Sequence, residues 1–331
     1  METTAEAQSP PLPGQPFALP GVDVASSPVP HLADAYNRLL DHNLAVSVSV
    51  WRDQAKIFGA ANGLTPGWQL VTTDTPMVLA SVSKLITALS IARLAQTGLV
   101  NIDQPVDWDA IGIAHHPTWN DVTVRELLAH TSGMPIVRNS WFDTPGACTV
   151  PLTEAMSAPP RQHRSRWTYS NGNYCALGLL IESVTGRQLD EAAQELIFDL
   201  LGISGPHLTI EPQPDLDGPY ILGLARLQRL GGAGTWMGST DDMAVMLGAV
   251  TALDRQTLIS PGIITDQYGW GHTGTIDGAK ACAWIMENGR TVVTAFVSGN
   301  SPATGGEVCD IILPALATDL GLWADRPIRE P

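Results

Sequence analysis

The feature that most constrains the fold is a stretch at residues 85–94 that reads Leu-Ile-Thr-Ala-Leu-Ser-Ile-Ala-Arg-Leu. Its apolar side chains point in almost every direction around a helix. A helix without a polar face has to be buried on all sides, so it lies in the middle of a domain with other elements packed around it. The sequence therefore predicts a large domain built around this helix, which we expect to end at Gly98.

Ser81 and Lys84 come directly before this stretch, three residues apart, so they share one face of the helix. Burial disfavours the charged form of a lysine, and the neutral amine can take the proton of a nearby hydroxyl. The N-terminus of a helix also favours developing negative charge. The pair indicates a serine nucleophile with a lysine base, although the same residues also fit a helix cap beside a solvated lysine.

The chain has 331 residues, of which 44% are hydrophobic, and a formal net charge of −15. This length allows one large domain of two lobes or two ordinary domains. Acidity that is spread along the sequence argues against nucleic acid as a partner, because phosphate binding needs basic patches. No apolar run is long enough to predict a membrane span. The first ten residues have neither the basic nor the apolar segment of a signal peptide.

Strand patterns occur near both ends of the chain, with helical patterns between them. The strands are predicted at residues 45–51, 56–60, 268–276, 280–286 and 290–298. We therefore expect an α/β (α+β) fold, with a central antiparallel sheet of about five strands from both termini, flanking helices and an inserted, mainly helical lobe. The predicted division is a disordered Pro-rich linker at residues 1–30 and a single catalytic domain at 31–331. The α/β lobe would take in residues 31–75 and 262–331, and the helical lobe residues 76–261.

Two further motifs can supply partners for Ser81. Tyr169-Ser170-Asn171 lies just before a predicted helix, where a phenol can act as an acid or base if the ammonium of Lys84 lowers its pKa. His272-Thr273-Gly274-Thr275 lies on a predicted strand. Its glycine allows a ligand to approach the backbone closely, and the N–H of the last threonine can join that of Ser81 in an oxyanion hole.

These three motifs, in this order, resemble those of the serine β-lactamase and penicillin-binding protein superfamily. Tyrosine in the second motif and histidine in the third are similar to the branch with class C β-lactamases, D-alanyl-D-alanine carboxypeptidases, D-aminopeptidases and related esterases. Residues 127–133 and 238–243 also resemble structural signatures of this branch. The resemblance implies that Ser81 is the acylated nucleophile and that Lys84 and Tyr169 share the proton transfers. It implies no metal and no cofactor.

Substrate binding is also implied by the resemblance. Asn171 would hold the substrate amide, and His272 and Thr273 would face its carboxylate end. The backbone N–H groups of Ser81 and Thr275 would form the oxyanion hole. An arginine serves the carboxylate end in some carboxypeptidases, but the sequence does not assign one here. Arg226, Arg229 and Arg255 are candidates by proximity in sequence, and ordinary surface arginines are the favoured alternative. Family members usually carry a longer strand pair before the third motif, so we expect a shallower or differently covered site.

The implied function is that of a serine acyl-enzyme hydrolase, in particular a D,D-peptidase similar to D-alanyl-D-alanine carboxypeptidases that acts on peptidoglycan peptides. An esterase or β-lactamase of the same superfamily is one alternative, and a non-catalytic relative that binds muropeptides is another. The implied partners are a small peptide or ester substrate and β-lactams as inhibitors or substrates. This function, the Pro-rich segment and the even number of cysteines together favour a location outside the cytoplasm or at the cell envelope.

The four cysteines allow three disulfide pairings. Cys148 lies in the loop before the Tyr-Ser-Asn motif, and Cys175 lies on the helix after it. Cys282 is predicted on a strand and Cys309 on the last helix, which packs on the sheet. We expect these neighbours to form the disulfides Cys148–Cys175 and Cys282–Cys309, with four buried thiols in a reducing compartment as the alternative.

Other residues near the motifs have simpler expected roles. His130 is expected to hold a turn, and the adjacent His115 and His116 are expected to be solvated rather than to bind a metal. The tryptophans that are expected to line the pocket are Trp167, Trp236 and Trp270.

Overall fold

The computed structural model describes residues 21–41, 43–65, 68–136, 147–160, 163–208, 228–250, 254–255, 264–299 and 301–322. The helices in this part of the chain are α1 (Pro30–Leu40), α2 (Ser83–Gln96), α3 (Val124–Leu128), α4 (Thr149–Met156), α5 (Asn171–Thr185), α6 (Leu189–Ala193), α7 (Asp199–Leu201), α8 (Thr240–Gly248) and α9 (Gly305–Asp319). The strands are β1 (Asn43–Arg52), β2 (Ala55–Gly63), β3 (Met77–Val78), β4 (His207–Leu208), β5 (Trp236–Gly238), β6 (Ile264–Thr265), β7 (Gly269–Ile276), β8 (Ala279–Met286) and β9 (Thr291–Gly299). A 3₁₀ turn, Ala80–Val82, precedes α2, and a 3₁₀ segment, Gln228–Ala233, precedes β5.

The main sheet has the strand order β2-β1-β9-β8-β7-β6 within the described residues, and its neighbours are antiparallel. β6 has only two residues, so the other five strands make up nearly all of the sheet. The pairing of β1 with β9 joins the N-terminal and C-terminal parts of the chain. The predicted fold class, an antiparallel sheet from both ends with helices around it, is confirmed.

The two faces of β1 differ in chemistry because successive side chains of a strand point to opposite sides. Val46, Val48 and Val50 belong to the apolar layer between the sheet and helices α1 and α9. On the other face, the Ser49 hydroxyl donates to Asp241 of α8 over 2.6 Å. The strand is therefore buried on both faces, whereas its alternating sequence predicts burial on one face only.

Helix α2 is the centre of the second core. Its side chains are buried at nearly every position from Ser83 to Leu94, as the apolar stretch predicts. Arg93 is half-buried and forms an ion pair with the buried carboxylate of Asp254 at 3.2 Å. Helix α5, the 3₁₀ segment Gln228–Ala233 and the 3₁₀ turn before α2 all pack against it. The nucleophile candidate thus lies at the start of the best-packed helix in the described part of the chain.

The predicted linker at residues 1–30 falls mostly outside the described residues. Its last part is packed: Val22 N–H donates to the Asn37 side chain of α1 over 3.0 Å, and Val24–Ser26 forms a 3₁₀ turn. The packed structure therefore begins before residue 30. Within the described residues, no helix is long and apolar enough to cross a membrane.

Both expected cysteine pairs are present as disulfides, Cys148–Cys175 and Cys282–Cys309. The first joins the residue before α4 to helix α5. The second joins β8 to α9. Each bond therefore connects two elements that also form part of a core.

Candidate active site

Ser81 lies in the 3₁₀ turn that links β3 to α2. The turn is sharp because Ala80 has φ +46°, a left-handed backbone that costs energy for a residue with a side chain. Leu79 N–H donates to the Trp236 carbonyl of β5 over 3.0 Å, which fixes the chain just before the turn. Ser81 is partly exposed while its neighbours in α2 are buried, so a substrate can reach this residue at the start of the buried helix.

Lys84 is 1% exposed, and its Nζ lies within hydrogen-bond distance of three oxygens. These are Ser81 Oγ at 3.0 Å, Asn171 Oδ1 at 2.8 Å and the Ala233 carbonyl at 2.7 Å. None of the ion pairs between described residues includes it. Burial lowers the pKa of Lys84 well below its ordinary value, which favours the neutral amine.

The three oxygens around Lys84 fix the direction of its lone pair. Amide and carbonyl oxygens can only accept hydrogen bonds, so the two N–H bonds of the neutral amine point to Asn171 and Ala233. The lone pair then points to Ser81 Oγ. The contacts of Lys84 therefore direct the lone pair of its neutral Nζ toward the Ser81 hydroxyl, where it can accept the proton that Ser81 loses as it becomes a nucleophile.

Tyr169 donates its phenolic proton to Ser81 Oγ over 2.9 Å. Burial raises its pKa to about 12, and the hydrogen bond with Ser81 only partly opposes this. The expectation that Lys84 lowers the pKa of this phenol is therefore wrong. Burial dominates, and it also disfavours the positive charge of Lys84, whose Nζ lies 5.0 Å from the Tyr169 ring centre. At neutral pH Tyr169 is a proton donor.

Helix α5 begins at Asn171, which brings the second motif to Lys84. Ser170 is the N-cap of this helix, and its hydroxyl accepts the Gly172 N–H, a role for which serine is strongly preferred. Tyr169 lies just outside the helix, and Asn171 is its first residue. The cap therefore explains how two residues that are so close in sequence both reach the same serine–lysine pair.

The third motif lies on β7 beside the Ser81 turn. A Cβ on Gly274 would meet the Leu79 carbonyl oxygen and the Ala80 side chain, so only glycine allows this contact. Thr275 faces the other way, and its hydroxyl accepts the Gly305 N–H of α9 over 2.9 Å. Because side chains alternate along a strand, Thr273 shares this second face. The structure therefore separates His272 and Thr273, which were expected to face the substrate together.

His272 is buried and carries no positive charge. Its Nδ1 lies 2.6 Å from the Thr273 carbonyl, which can only accept, so Nδ1 holds the proton. Burial and the nearby Lys84 lower the pKa of His272 to about 3. Its ring lies 6.1 Å from that of Tyr169. The histidine of the third motif thus belongs to the site as a neutral ring.

The structure brings together Ser81, Lys84, Tyr169, Asn171 and His272. The oxyanion hole of Ser81 and Thr275 N–H groups stays a prediction, supported by the contact of β7 with the Ser81 turn. The Ala233 carbonyl was missed. Every residue has a backbone carbonyl, so the sequence does not mark the one that bonds to Lys84. The run Gly-Gly-Ala-Gly at 231–234 indicates only that the backbone is irregular there.

The remaining candidates are distributed over the molecule. Trp167 is 54% exposed beside Tyr169, whereas Trp236 and Trp270 are buried and do not line an open pocket. Arg255 lies near Gly289, in the turn between β8 and β9, and Arg226 lies outside the described residues. His115 bonds to Asn120, and no cluster suited to a metal ion occurs in the described part of the chain.

The chain is similar to known proteins in sequence and in fold. The Beta-lactamase family model matches residues 32–314. A Bacillus subtilis (strain 168) protein named as a penicillin-binding protein, PbpX, is 24% identical over 71% of this chain and 65% of its own length. Monacolin J acid methylbutanoyltransferase of Aspergillus terreus is 29% identical over 43% of this chain and 40% of its own. The chain therefore matches less than two thirds of either relative.

Among solved structures, the D-amino acid amidase from Ochrobactrum anthropi SV3 in complex with L-phenylalanine amide has a TM-score of 0.69 at 20% identity, over 90% of this chain and 100% of that one. A D-stereospecific amidohydrolase from Streptomyces sp. has a TM-score of 0.68 at 18% identity, over 85% of this chain and 97% of that one. These similarities concern the fold. With the family match across most of its length, the chain belongs to the Beta-lactamase family.

Proposed function

We propose that this chain is a serine hydrolase that forms an acyl-enzyme at Ser81 and cleaves amide bonds next to D-amino acids, in the manner of a D,D-carboxypeptidase acting on peptidoglycan peptides. The observation that carries the proposal is the environment of Lys84. A buried amine whose two N–H bonds are held by Asn171 and Ala233 has its lone pair on the Ser81 hydroxyl. Such an arrangement activates a serine as nucleophile.

The proposed reaction has two steps. Ser81 Oγ bonds to the substrate carbonyl carbon while its proton passes to Lys84 Nζ. As the C–N bond breaks, Tyr169 gives its proton to the leaving nitrogen and regains one from the Lys84 ammonium. Water then attacks the Ser81 ester, which releases the acid and restores the serine. The phenol is suited to the donor role because its raised pKa keeps it protonated.

Several features support a peptide substrate. Beyond Gly271, no strand of the described part of the chain pairs with β7 on the side of β6, and an extended peptide can pair with a free strand edge. One relative is named as a penicillin-binding protein, and one structural neighbour is a D-amino acid amidase. A cell-wall substrate would place the chain outside the cytoplasm, where disulfides persist.

Covalent labelling tests the acyl-enzyme. Fluorescent penicillin should label the wild type with one adduct per chain, and Ser81→Ala should abolish the label. Ser90→Ala is the matched control, because Ser90 is buried on the same helix and, among the described residues, its hydroxyl bonds only to the Ile86 carbonyl. Absence of any adduct from penicillin and from a p-nitrophenyl ester would overturn the proposal. Muropeptide binding that persists in Ser81→Ala without turnover would then favour a non-catalytic relative.

A second candidate is an amidase for amides of D-amino acids, which the neutral state of His272 favours. A neutral imidazole gives less attraction to a terminal carboxylate than a cation does. D-Alanine release from a peptide that ends in D-Ala-D-Ala should be compared with ammonia release from D-phenylalanine amide. Faster turnover of the peptide supports the D,D-peptidase, and faster turnover of the amide supports the amidase.

A further inference from the structure

His130 lies at the back of the Tyr-Ser-Asn motif. It follows α3, is 1% exposed, and has φ +55°, which is uncommon for a residue with a side chain. Its ring lies 4.6 Å from the Tyr169 ring and 5.2 Å from that of Tyr174. A residue that only holds a turn does not need to be buried or to pack on the tyrosine that contacts Ser81. These features of His130 go beyond what a turn requires.

The hydrogen bonds of His130 define its protonation state. Its Nδ1 lies 3.3 Å from Ser170 N and 2.9 Å from Asn173 Nδ2. A backbone N–H can only donate, so Nδ1 is an acceptor without a proton. Asn173 is oriented by Ser132, whose hydroxyl donates to Asn173 Oδ1 over 2.6 Å, and this turns the amide N–H₂ toward His130. Burial is the largest cause that lowers the pKa of His130, to about 2.

The backbone of the same turn holds the other end of the loop. Thr168 N–H donates to the His130 carbonyl over 2.8 Å, and Ser165 N–H donates to the Thr131 carbonyl over 3.0 Å. His130 therefore holds both sequence neighbours of Tyr169. Its backbone carbonyl accepts the Thr168 N–H, and its ring nitrogen accepts the Ser170 N–H. Moving His130 would shift both sides of Tyr169.

We propose that His130 is a positioning residue whose neutral Nδ1 holds the Ser170 and Asn173 amides and thereby sets the reach of Tyr169 to Ser81 and of Asn171 to Lys84. The side chain acts through these groups and does not contact the reacting atoms. Its effect on catalysis rests on the proposed function. Its effect on the surroundings of Lys84 does not, so the two can be tested separately.

The test compares three substitutions. In His130→Asn, Oδ1 branches from Cγ as Nδ1 does and can accept the same two N–H groups, and asparagine tolerates a left-handed backbone. His130→Gln moves the acceptor one bond further out, and His130→Ala removes it. Thermal unfolding of each variant shows whether it folds. If His130→Ala does not fold, the comparison of the glutamine and asparagine variants still decides the question.

The first measurement needs no activity. The chain has only three lysines, Lys56, Lys84 and Lys280, so lysine-labelled protein gives three NMR signals, which Lys56→Arg and Lys280→Arg assign. The titratable side chains around Lys84 are Tyr169, Tyr174, His130 and His272. Wild type and His130→Asn should show Lys84 titrating far below the ordinary lysine range. In His130→Ala and His130→Gln, water that reaches Nζ should move this titration upward.

The second measurement is the acylation rate. His130→Ala and His130→Gln should lose on the order of 100-fold in kcat with little change in KM, because proton transfer is worth roughly this much. His130→Asn should recover most of the loss. The proposal is overturned if His130→Ala leaves the Lys84 titration in place, or if His130→Asn shifts it as far as His130→Ala does. Failure of the wild type to form any adduct would instead overturn the proposed function and leave the NMR result to decide the role of His130.

Discussion

Lys84 controls how acylation should depend on pH. Its lone pair must be free to take the Ser81 proton, so activity falls as pH drops through the lowered pKa of this amine. His130 and His272 have pKa values of about 2 and 3, so neither changes charge between pH 5 and 8. We predict one acid limb in the pH profile of the acylation rate, due to Lys84. Lys84→Arg, which stays charged, should lose acylation at every pH.

The control for this prediction is His272→Asn, which removes one of the two histidine rings beside Tyr169. The acid limb should keep a slope of one and stay near its wild-type position. If the wild-type pH profile showed a second protonation that disappeared in His272→Asn, then His272 and not Lys84 alone would control the acid limb.

Tyr169 supplies the only phenolic proton that the described residues bring to Ser81. Tyr169→Phe keeps the ring and its packing but removes this donor. We predict a loss of about 100- to 1,000-fold in kcat, within the usual range for a general acid. Tyr36→Phe is the control, because Tyr36 is buried in the other core, beside Phe58. Activity of Tyr169→Phe within tenfold of wild type would assign the leaving-group proton to another donor.

Among the elements, β7 and the Ser81 turn depend on each other at Gly274. In Gly274→Ala the new methyl group would meet backbone that cannot move without shifting Ser81. We predict a loss of about 1–3 kcal/mol of unfolding free energy, as for other overpacked sites, together with strongly reduced acylation. Gly306→Ala in α9 has room for its methyl group and should be neutral or stabilising. Equal stability of the two variants would contradict this contact.

The long elements could be predicted because their patterns are local. β7, β8 and β9 lie within about one residue of the predicted strands, since alternation and turn residues mark their ends. Within residues 189–201 a π-helical turn, Gln194–Phe198, stands between α6 and α7, and Ser81 lies in a 3₁₀ turn before α2. Such local changes of winding depend on tertiary packing, which a single-sequence pattern does not contain.

The site itself was predictable only in part, for a related reason. Ser81, Lys84, Tyr169 and Asn171 are visible as side-chain motifs. The Ala233 carbonyl and the acceptor on His130 act through backbone and through tautomer choice, which are set by neighbours distant in sequence. The same limit explains the wrong expectation for Tyr169, because the burial that raises its pKa is a property of the folded chain.

For the whole molecule, the disulfides tie each core to its neighbouring elements. Each closes a separation of 27 residues, for which the chain-entropy model gives about 3.5 kcal/mol of stability. We predict no free thiol in denatured, unreduced protein and a clear drop in the unfolding midpoint after reduction. Four free thiols, or a midpoint that reduction leaves unchanged, would contradict the pairing.

Helix α9 also links the neighbourhood of the site to the start of the domain. One end of the helix touches Thr275 beside the site, and at the other end the Asp319 carboxylate accepts the backbone N–H groups of His31 and Leu32 at the start of α1. The first and last helices of the domain therefore meet, about 22 Å along α9 from the catalytic edge. A circularly permuted chain could therefore join α9 to α1 through a short linker.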